Sequence, residues 1–451
     1  MKIKLSNEFE HSPVDSSERR GFLPMLLIMM GFTFFSASMW VGVKIASGLS
    51  FGKFVTAVML GNVILSVYCS ALAYVAARTG LSIHLLAHNA FGKIGSFIPS
   101  GILAFTQIGW FGVGVAMFSI PTTLLLKGIS SLQGTWLMSG QYLTLATGVT
   151  VPLHCLVLIT ALAGLLMTSS AYFGIRSIHV ISVIAVPSIA VLGGVSAIMA
   201  LLENNGWQTL VNHVPVDPQT GLSTSISIWL AISLGIGSFI SGGTCTPDFV
   251  RFAKNPRQAV WATAIAFFIG NSLMFFFGAI AGTIYGKQDI SEVLQLQGLL
   301  VPAILVLGLN IWTTNDNAIY TAGLGLSNIT KVAKHRLVPI VGLLGTLTAI
   351  WLYNNFCNWL TILNVFIPPC GAIILTSHLL GANRLKQPAR FSFPAVIAFL
   401  AGSFVALAGF DYLPFLHIRM LTFGIPALNG MVIAAAVYCL LDSSHDNRNE
   451  A

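Results

Sequence analysis

Apolar residues fall into about twelve long runs separated by short polar links. A helix that crosses a bilayer needs roughly 20 predominantly apolar residues. Runs of suitable length lie near 22–44, 54–77, 97–121, 151–173, 179–202, 224–244, 259–284, 298–323, 338–354, 357–380, 391–410 and 419–441. Segment 122–150 is ambiguous: it is long and mildly apolar, with a single charge at Lys127. The pattern predicts an all-α membrane protein with about twelve transmembrane helices.

Two of these runs share an interruption. The first reads Gly31-Phe32-Thr33-Phe34-Phe35-Ser36-Ala37-Ser38 and the sixth reads Gly235-Ile236-Gly237-Ser238-Phe239-Ile240-Ser241-Gly242. Aligned without gaps, Gly31 meets Gly235 and Phe35 meets Phe239. Glycine costs about 1 kcal/mol inside a helix, and irregular backbone at membrane depth survives only beside a cavity or buried in protein. Matched interruptions in two halves of opposite topology are what an inverted-repeat transporter shows. Close helix packing through small residues is the competing explanation.

Composition narrows the class. Charged residues make up 8% of the 451, against about 25% in soluble domains. A soluble enzyme, a nucleic-acid-binding domain and a secreted disulfide scaffold are excluded. The net charge of +8 reflects basic residues gathered on one side of a membrane. With the N-terminus inside, only Lys44, Lys53, Lys127, Lys287 and Arg419 fall outside, leaving 17 of the 22 Lys and Arg in the cytoplasm. An extra span within 122–150 would leave just 8 inside, so that segment is expected to be an external loop or re-entrant piece. Both termini are then cytoplasmic. Residues 1–20 mix both signs of charge and read as a solvated tail rather than a cleaved leader. Cys69, Cys155, Cys245, Cys357, Cys370 and Cys439 are scattered through apolar stretches and read as small apolar residues.

The polar residues that remain within spans carry the chemistry. Asp316 alone among the acidic residues lies well inside a span, and Asp248 sits at the cytoplasmic end of the sixth. Such sparse charge suits a neutral, polar substrate. In the eighth span Asn310, Thr313, Thr314 and Asn317 share one helix face. Their oxygens are hard ligands of the kind Na⁺ accepts, or alternatively members of an interhelical hydrogen-bond network. Asp316 points away from that face, free to hydrogen-bond in the bundle or to carry a proton. In the third span Gln107 and Trp110 project to one side. A buried Gln amide offers a donor and an acceptor side by side, and an indole offers a stacking surface worth about 1–3 kcal/mol per base. Phe35 and Phe239 add apolar faces, though each aromatic taken alone fits core or lipid packing. His84 and His88, four residues apart, have no carboxylate or thiolate nearby in sequence and make a poor metal pair. Pro368-Pro369 marks a kink or hinge in the tenth span. No protease or ATP-binding motif is found.

The strings GFTFFSASMW (31–40), FTQIGWFGVGVAMF (105–118), GSFISGGT (237–244), DFVRFAKN (248–255), LGLNIWTTNDNAIY (307–320) and WLYNNF (351–356) resemble those of the cytosine permeases of the nucleobase:cation symporter family. The resemblance runs from Gly31 to about Pro369. It implies a five-plus-five inverted repeat with discontinuous first and sixth helices, followed by two C-terminal helices. The expected organisation is a tail (1–21), a first repeat (22–202, including the long external loop 122–150), a second repeat (203–380), two further helices (381–441) and a C-terminal tail (442–451). The link 122–150 looks longer than is usual in the group. The resemblance also implies a Na⁺ site of the Gly31 and Phe34 carbonyls with Asn310, Thr313 and Thr314. It implies a substrate site among Phe35, Gln107, Trp110, Ser238, Phe239, Ser241 and Asn315.

The expectation is a secondary transporter of a bacterial inner membrane that imports cytosine by Na⁺ symport, with no enzymatic activity, nucleic-acid partner or obligate protein partner. Another nucleobase, a hydantoin or allantoin as substrate remains open, as does proton coupling through Asp316. So do a passive channel and a membrane enzyme acting on the base.

Overall fold

The structure is a computed structural model that describes residue 9 and residues 11–172, 175–203, 205–215, 225–287, 290–381, 389–409 and 424–449. Each of the twelve expected runs holds helix among its described residues. In chain order the first half holds α1 (Phe22–Thr33), α2 (Ser36–Ser47), α3 (Phe51–Thr79), α4 (Ile83–Phe91), α5 (Phe97–Lys127), α6 (Leu153–Ala171), α7 (Ile175–Leu202) and the short α8 (Gly206–Val211). The second half holds α9 (Ile228–Gly237), α10 (Ile240–Thr244), α11 (Thr246–Val250), α12 (Pro256–Ile265), α13 (Asn271–Tyr285), α14 (Ile290–Leu296), α15 (Leu300–Thr330), α16 (Lys334–Asn354) and α17 (Phe356–Leu380). Helices α18 (Phe393–Ala408) and α19 (Pro426–Asn449) follow. Helix α19 continues well into the stretch expected to be a free tail.

Among the described residues, six helices are long and apolar enough to span a membrane alone, and α1 with α2 makes a seventh. The other expected spans are carried by broken or shorter apolar helices and by α15 with its polar run. Large apolar side chains such as Val67, Leu165, Leu347 and Leu379 are exposed, as lipid-facing positions must be.

The interruptions fall where the ungapped alignment puts them. Helix α1 ends at Thr33 and α2 begins at Ser36, with a bend of 51°. Helix α9 ends at Gly237 and α10 begins at Ile240. Phe34–Phe35 in one half therefore corresponds to Ser238–Phe239 in the other. Helix α12 runs into α13 through a wide turn at Ala266–Gly270, and a Cβ on Gly270 would lie 2.6 Å from the Thr33 hydroxyl. That local expansion lets α1 pack tightly just before its break. Helices α2 and α13 meet through Gly42 and Gly278, where an added Cβ would lie 2.3 Å and 2.0 Å from backbone oxygens. Helix α15 lies along α5 and α7, and α5 also packs on α16. Helix α17 keeps Pro368 and Pro369 inside a continuous helix, and Pro369 seats against the α18–α19 pair near Gly402 and Gly430.

Segment 122–150 begins as the last turn of α5 and then forms an antiparallel hairpin, β1 (Tyr142–Thr144) with β2 (Thr150–Pro152). Lys127 donates to the Thr150 carbonyl (2.9 Å), and Asn354 of α16 accepts from the Ala146 amide (2.9 Å). The loop is thus an ordered cap on one end of α5, α6 and α16.

The N-terminal segment departs from the expected solvated tail. Phe9 and Val14 are buried. The Val14 amide donates to the Gly80 carbonyl (3.0 Å), and Arg20 pairs its backbone with Phe252 and Lys254 beyond α11. Its few apolar residues have somewhere to go, because α3 and the α11–α12 link offer unpaired backbone groups and a greasy seat.

Candidate functional site

Breaking α1 frees the carbonyls of its last turn, which an intact helix would have used. Two of them face α15. Thr313 Oγ1 lies 3.3 Å from the Gly31 carbonyl and 2.8 Å from the Asn310 carbonyl. Thr314 Oγ1 donates to the Asn310 carbonyl (3.2 Å), and the Asn310 amide nitrogen donates to the Phe34 carbonyl. Asn310 Oδ1 is buried with no hydrogen-bond partner among the described residues. All five residues expected around the ion therefore converge: Gly31, Phe34, Asn310, Thr313 and Thr314. The oxygens gathered here are neutral, and they stand at the C-terminal, negative end of α1, which favours a cation.

A cavity lies beside this cluster, lined by Phe32, Phe35, Gln107, Trp110, Ser238, Phe239, Gly242, Thr314 and Ala318. It opens between the two helix breaks, with α5 and α15 as the other walls. Phe35 meets Trp110 edge-on (5.6 Å between centroids), and Phe32 meets Phe239 at 90° (5.2 Å). Trp110 Nε1 donates to Ser241 Oγ (2.6 Å), and Gln107 Nε2 donates to Cys245 Sγ (3.6 Å). Ser238 Oγ turns back to the Gly235 carbonyl (2.7 Å).

Of the seven residues expected to contact substrate, Phe35, Gln107, Trp110, Ser238 and Phe239 line the cavity, and Ser241 stands behind Trp110. Asn315 stands apart. Its amide donates to the Phe111 carbonyl (3.3 Å) and contacts Met167 Sδ (3.1 Å), and a Cβ on Gly114 would lie 2.1 Å from its oxygen. One residue of helical advance from Thr314 turns the side chain by about 100°, which carries Asn315 to the α5–α6 side. Phe32, Gly242, Ala318 and the shared position of Thr314 were not singled out from the sequence. Phe32 lies one turn before Phe35 and Ala318 one turn after Thr314, so helical spacing contained both.

Asp316 is buried outside the cavity lining. Its Oδ1 accepts from Ser170 (2.6 Å), which in turn accepts from Trp312 Nε1 (2.5 Å). The Cys245 contact also gives one of the supposedly apolar cysteines a polar task. The six cysteines are all free thiols.

Below the cavity the structure supplies the carboxylate that His84 lacked in sequence. Asp248 of α11 accepts from the Ile83 amide at the start of α4 (2.9 Å) and lies 3.8 Å from His84 Nε2. Arg251 is buried beside it, donating to the Phe9 carbonyl (3.0 Å) and the Tyr320 hydroxyl (3.0 Å). Among the described residues no cluster of three or more His, Cys, Asp and Glu side chains forms. Burial holds the His84 imidazole below its usual pKa, against the opposing pull of Asp248. A histidine kept neutral in the fold binds its proton more readily when unfolded. Its contribution is therefore present above the unfolded value of about 6.5 and lost as pH falls through the lower folded value. Thermal unfolding in detergent is expected to shift down in temperature below about pH 6.5, and His84→Gln is expected to flatten that slope.

Residues 13–432 match the family model described as a permease for cytosine/purines, uracil, thiamine and allantoin. The chain belongs to this permease family. It is 44% identical to the cytosine permease of Escherichia coli (strain K12) over 438 residues, covering 97% of this chain and 94% of that protein. A hydantoin permease from Microbacterium maritypicum is 22% identical, over 78% of this chain and 72% of its own length. Among solved structures, the fold is similar to Mhp1, a nucleobase-cation-symport-1 family transporter, in a closed form with bromovinylhydantoin bound (TM-score 0.69, 19% identity, 96% and 94% coverage). It is also similar to the inward-facing conformation of Mhp1 (TM-score 0.73, 16% identity, 96% and 93% coverage). The chain is thus a multi-pass membrane transporter of the nucleobase class and not an enzyme.

Proposed function

We propose that the chain imports cytosine together with Na⁺ by alternating access across a bacterial inner membrane, with both termini in the cytoplasm. Thr314 carries the reading: its side chain lines the cavity and its hydroxyl belongs to the oxygen cluster at the α1 break. An ion and a base bound there share a wall.

In this reading Na⁺ is cargo. Arriving among the Gly31 and Phe34 carbonyls, Asn310, Thr313 and Thr314, it displaces the Asn310 amide hydrogen from Phe34 and fixes the α1 break. The break carries Phe35, so ion binding shapes the base site and the two bind with positive coupling, typically 1–3 kcal/mol. Cytosine stacks on Trp110, Gln107 reads its polar edge, and Phe35 and Phe239 close the apolar faces. Ser238 and Ser241 hold the broken sixth helix and Trp110 in place. Asn315 supports the wall at Gly114. Residues 22–202 and 203–380 act as the two repeats, and rocking of one bundle against the other opens the site to the cytoplasm.

The test is uptake of labelled cytosine into proteoliposomes under an inward Na⁺ gradient, with choline replacing Na⁺ as the comparison. Accumulation that requires Na⁺ is expected, and a non-accumulating equilibration would instead mean a channel. Proton coupling is the second reading, favoured by Asp316, whose Oδ2 is buried with no hydrogen-bond partner among the described residues. Asp316→Asn is expected to retain Na⁺-driven accumulation. Complete loss in the variant, together with uptake by the parent that follows a pH gradient, would transfer the coupling role to Asp316.

A further inference from the structure

Two hydrogen bonds tie α5 to α10 in register. Trp110 donates to Ser241 and, one turn lower on both helices, Gln107 donates to Cys245. The upper bond holds the stacking ring. The lower one holds the one carboxamide that lines the cavity, and Cys245 itself is fully buried at the end of α10.

A carboxamide has two ends of opposite hydrogen-bonding sense, and rotating it by 180° exchanges them. Something must decide which end the substrate meets. A thiol is a weak donor and a weak acceptor, while an amide N–H is a good donor. In the structure the pairing at Cys245 is N–H to sulfur, at 3.6 Å. With the nitrogen held by sulfur and the side chain lining the cavity, the Gln107 carbonyl oxygen is the end left for the ligand.

We propose that Cys245 is a specificity-determining positioning residue. Its sulfur holds the Gln107 amide so that the carbonyl oxygen faces the base, and the site favours a pyrimidine with an exocyclic amine over one with a carbonyl in its place. This rests on the cytosine reading above and deepens it. An acceptor aimed at the ring edge welcomes the cytosine amine and opposes the matching uracil oxygen. Without the sulfur, the amide is free to turn its nitrogen to the base. With serine in its place, the hydroxyl both donates and accepts well, so it pairs with either end of the amide and the fixed orientation is lost.

The experiment is competition binding of cytosine and uracil to the full-length protein in Na⁺, for the parent, Cys245→Ala and Cys245→Ser. The ratio of the two affinities is expected to fall about three- to tenfold in Cys245→Ala, the worth of one buried hydrogen bond. It is expected to fall in Cys245→Ser as well. Uracil should gain while cytosine loses, a change of ratio that loosened packing cannot produce. An unchanged ratio in both variants, or an equal loss of both ligands, overturns the proposal and leaves the cytosine reading standing. A parent protein that binds no cytosine overturns that reading, and this inference with it.

Discussion

Replacing Trp110 with alanine is expected to weaken cytosine binding about a hundredfold in a protein that still folds. The ring contributes a stacking surface, worth about 1–3 kcal/mol per base. Its N–H also satisfies the buried Ser241 hydroxyl at 2.6 Å, and an unsatisfied buried group costs roughly another 1–3 kcal/mol. Phe35 and Phe356 meet the ring edge-on, at 5.6 and 5.8 Å, so both would lose a packing partner. Trp110→Phe separates the two contributions. It keeps a stacking ring and removes the N–H, and should lose about five- to tenfold. Equilibrium binding with radiolabelled cytosine at saturating Na⁺ measures both. Binding by Trp110→Ala within threefold of the parent would remove Trp110 from the base site.

The second large effect concerns Thr314. Thr314→Ala is expected to raise the Na⁺ concentration for half-maximal uptake by about ten- to a hundredfold, the range for losing a hydrogen-bonding group next to a charge. Cytosine affinity at saturating Na⁺ should change by less than threefold, because Thr314 is one of nine lining residues and its Cβ stays on the wall. Thr313→Ala serves as the comparison. Its hydroxyl reaches the Gly31 and Asn310 carbonyls, and Thr313 is not part of the cavity lining. It should shift the Na⁺ dependence and leave base affinity alone. Titration of uptake against Na⁺ at several cytosine concentrations distinguishes the two variants. Equal effects on ion and base in both would mean that the cluster is structural.

Much of this was readable along the chain. The breaks at Phe34–Phe35 and Ser238–Phe239 follow from matched Gly-rich strings, because helix geometry is local and its violation is written locally. The polar face of α15 follows from spacing for the same reason. Asn315 shows the limit: it is polar and central in sequence, yet one residue of rotation takes it out of the cavity. The hairpin at 142–152 left a signal, an alternation of polar and apolar residues across the turn at Gly148. What could not be read were pairings between distant elements. Cys245 looks apolar until α10 is placed beside α5. His84 lacks a carboxylate until α11 brings Asp248 to it, 164 positions along the chain. The N-terminal segment looked soluble by composition, since Phe9 and Val14 are two apolar residues in a charged stretch.

That packed N-terminal segment bears on how the transporter is handled in the laboratory. Phe9 sits on the Arg251 guanidinium, and Arg20 is stitched to the link before α12. A fluorescent protein or affinity tag joined just ahead of Phe9 would hang on a strand that must stay seated, and its bulk would bias any kinetic assay read from it. The far end of the chain follows α19, which packs chiefly on α18 and α17. Reporters belong there, and a pair of otherwise identical preparations tagged at opposite ends should differ in transport rate.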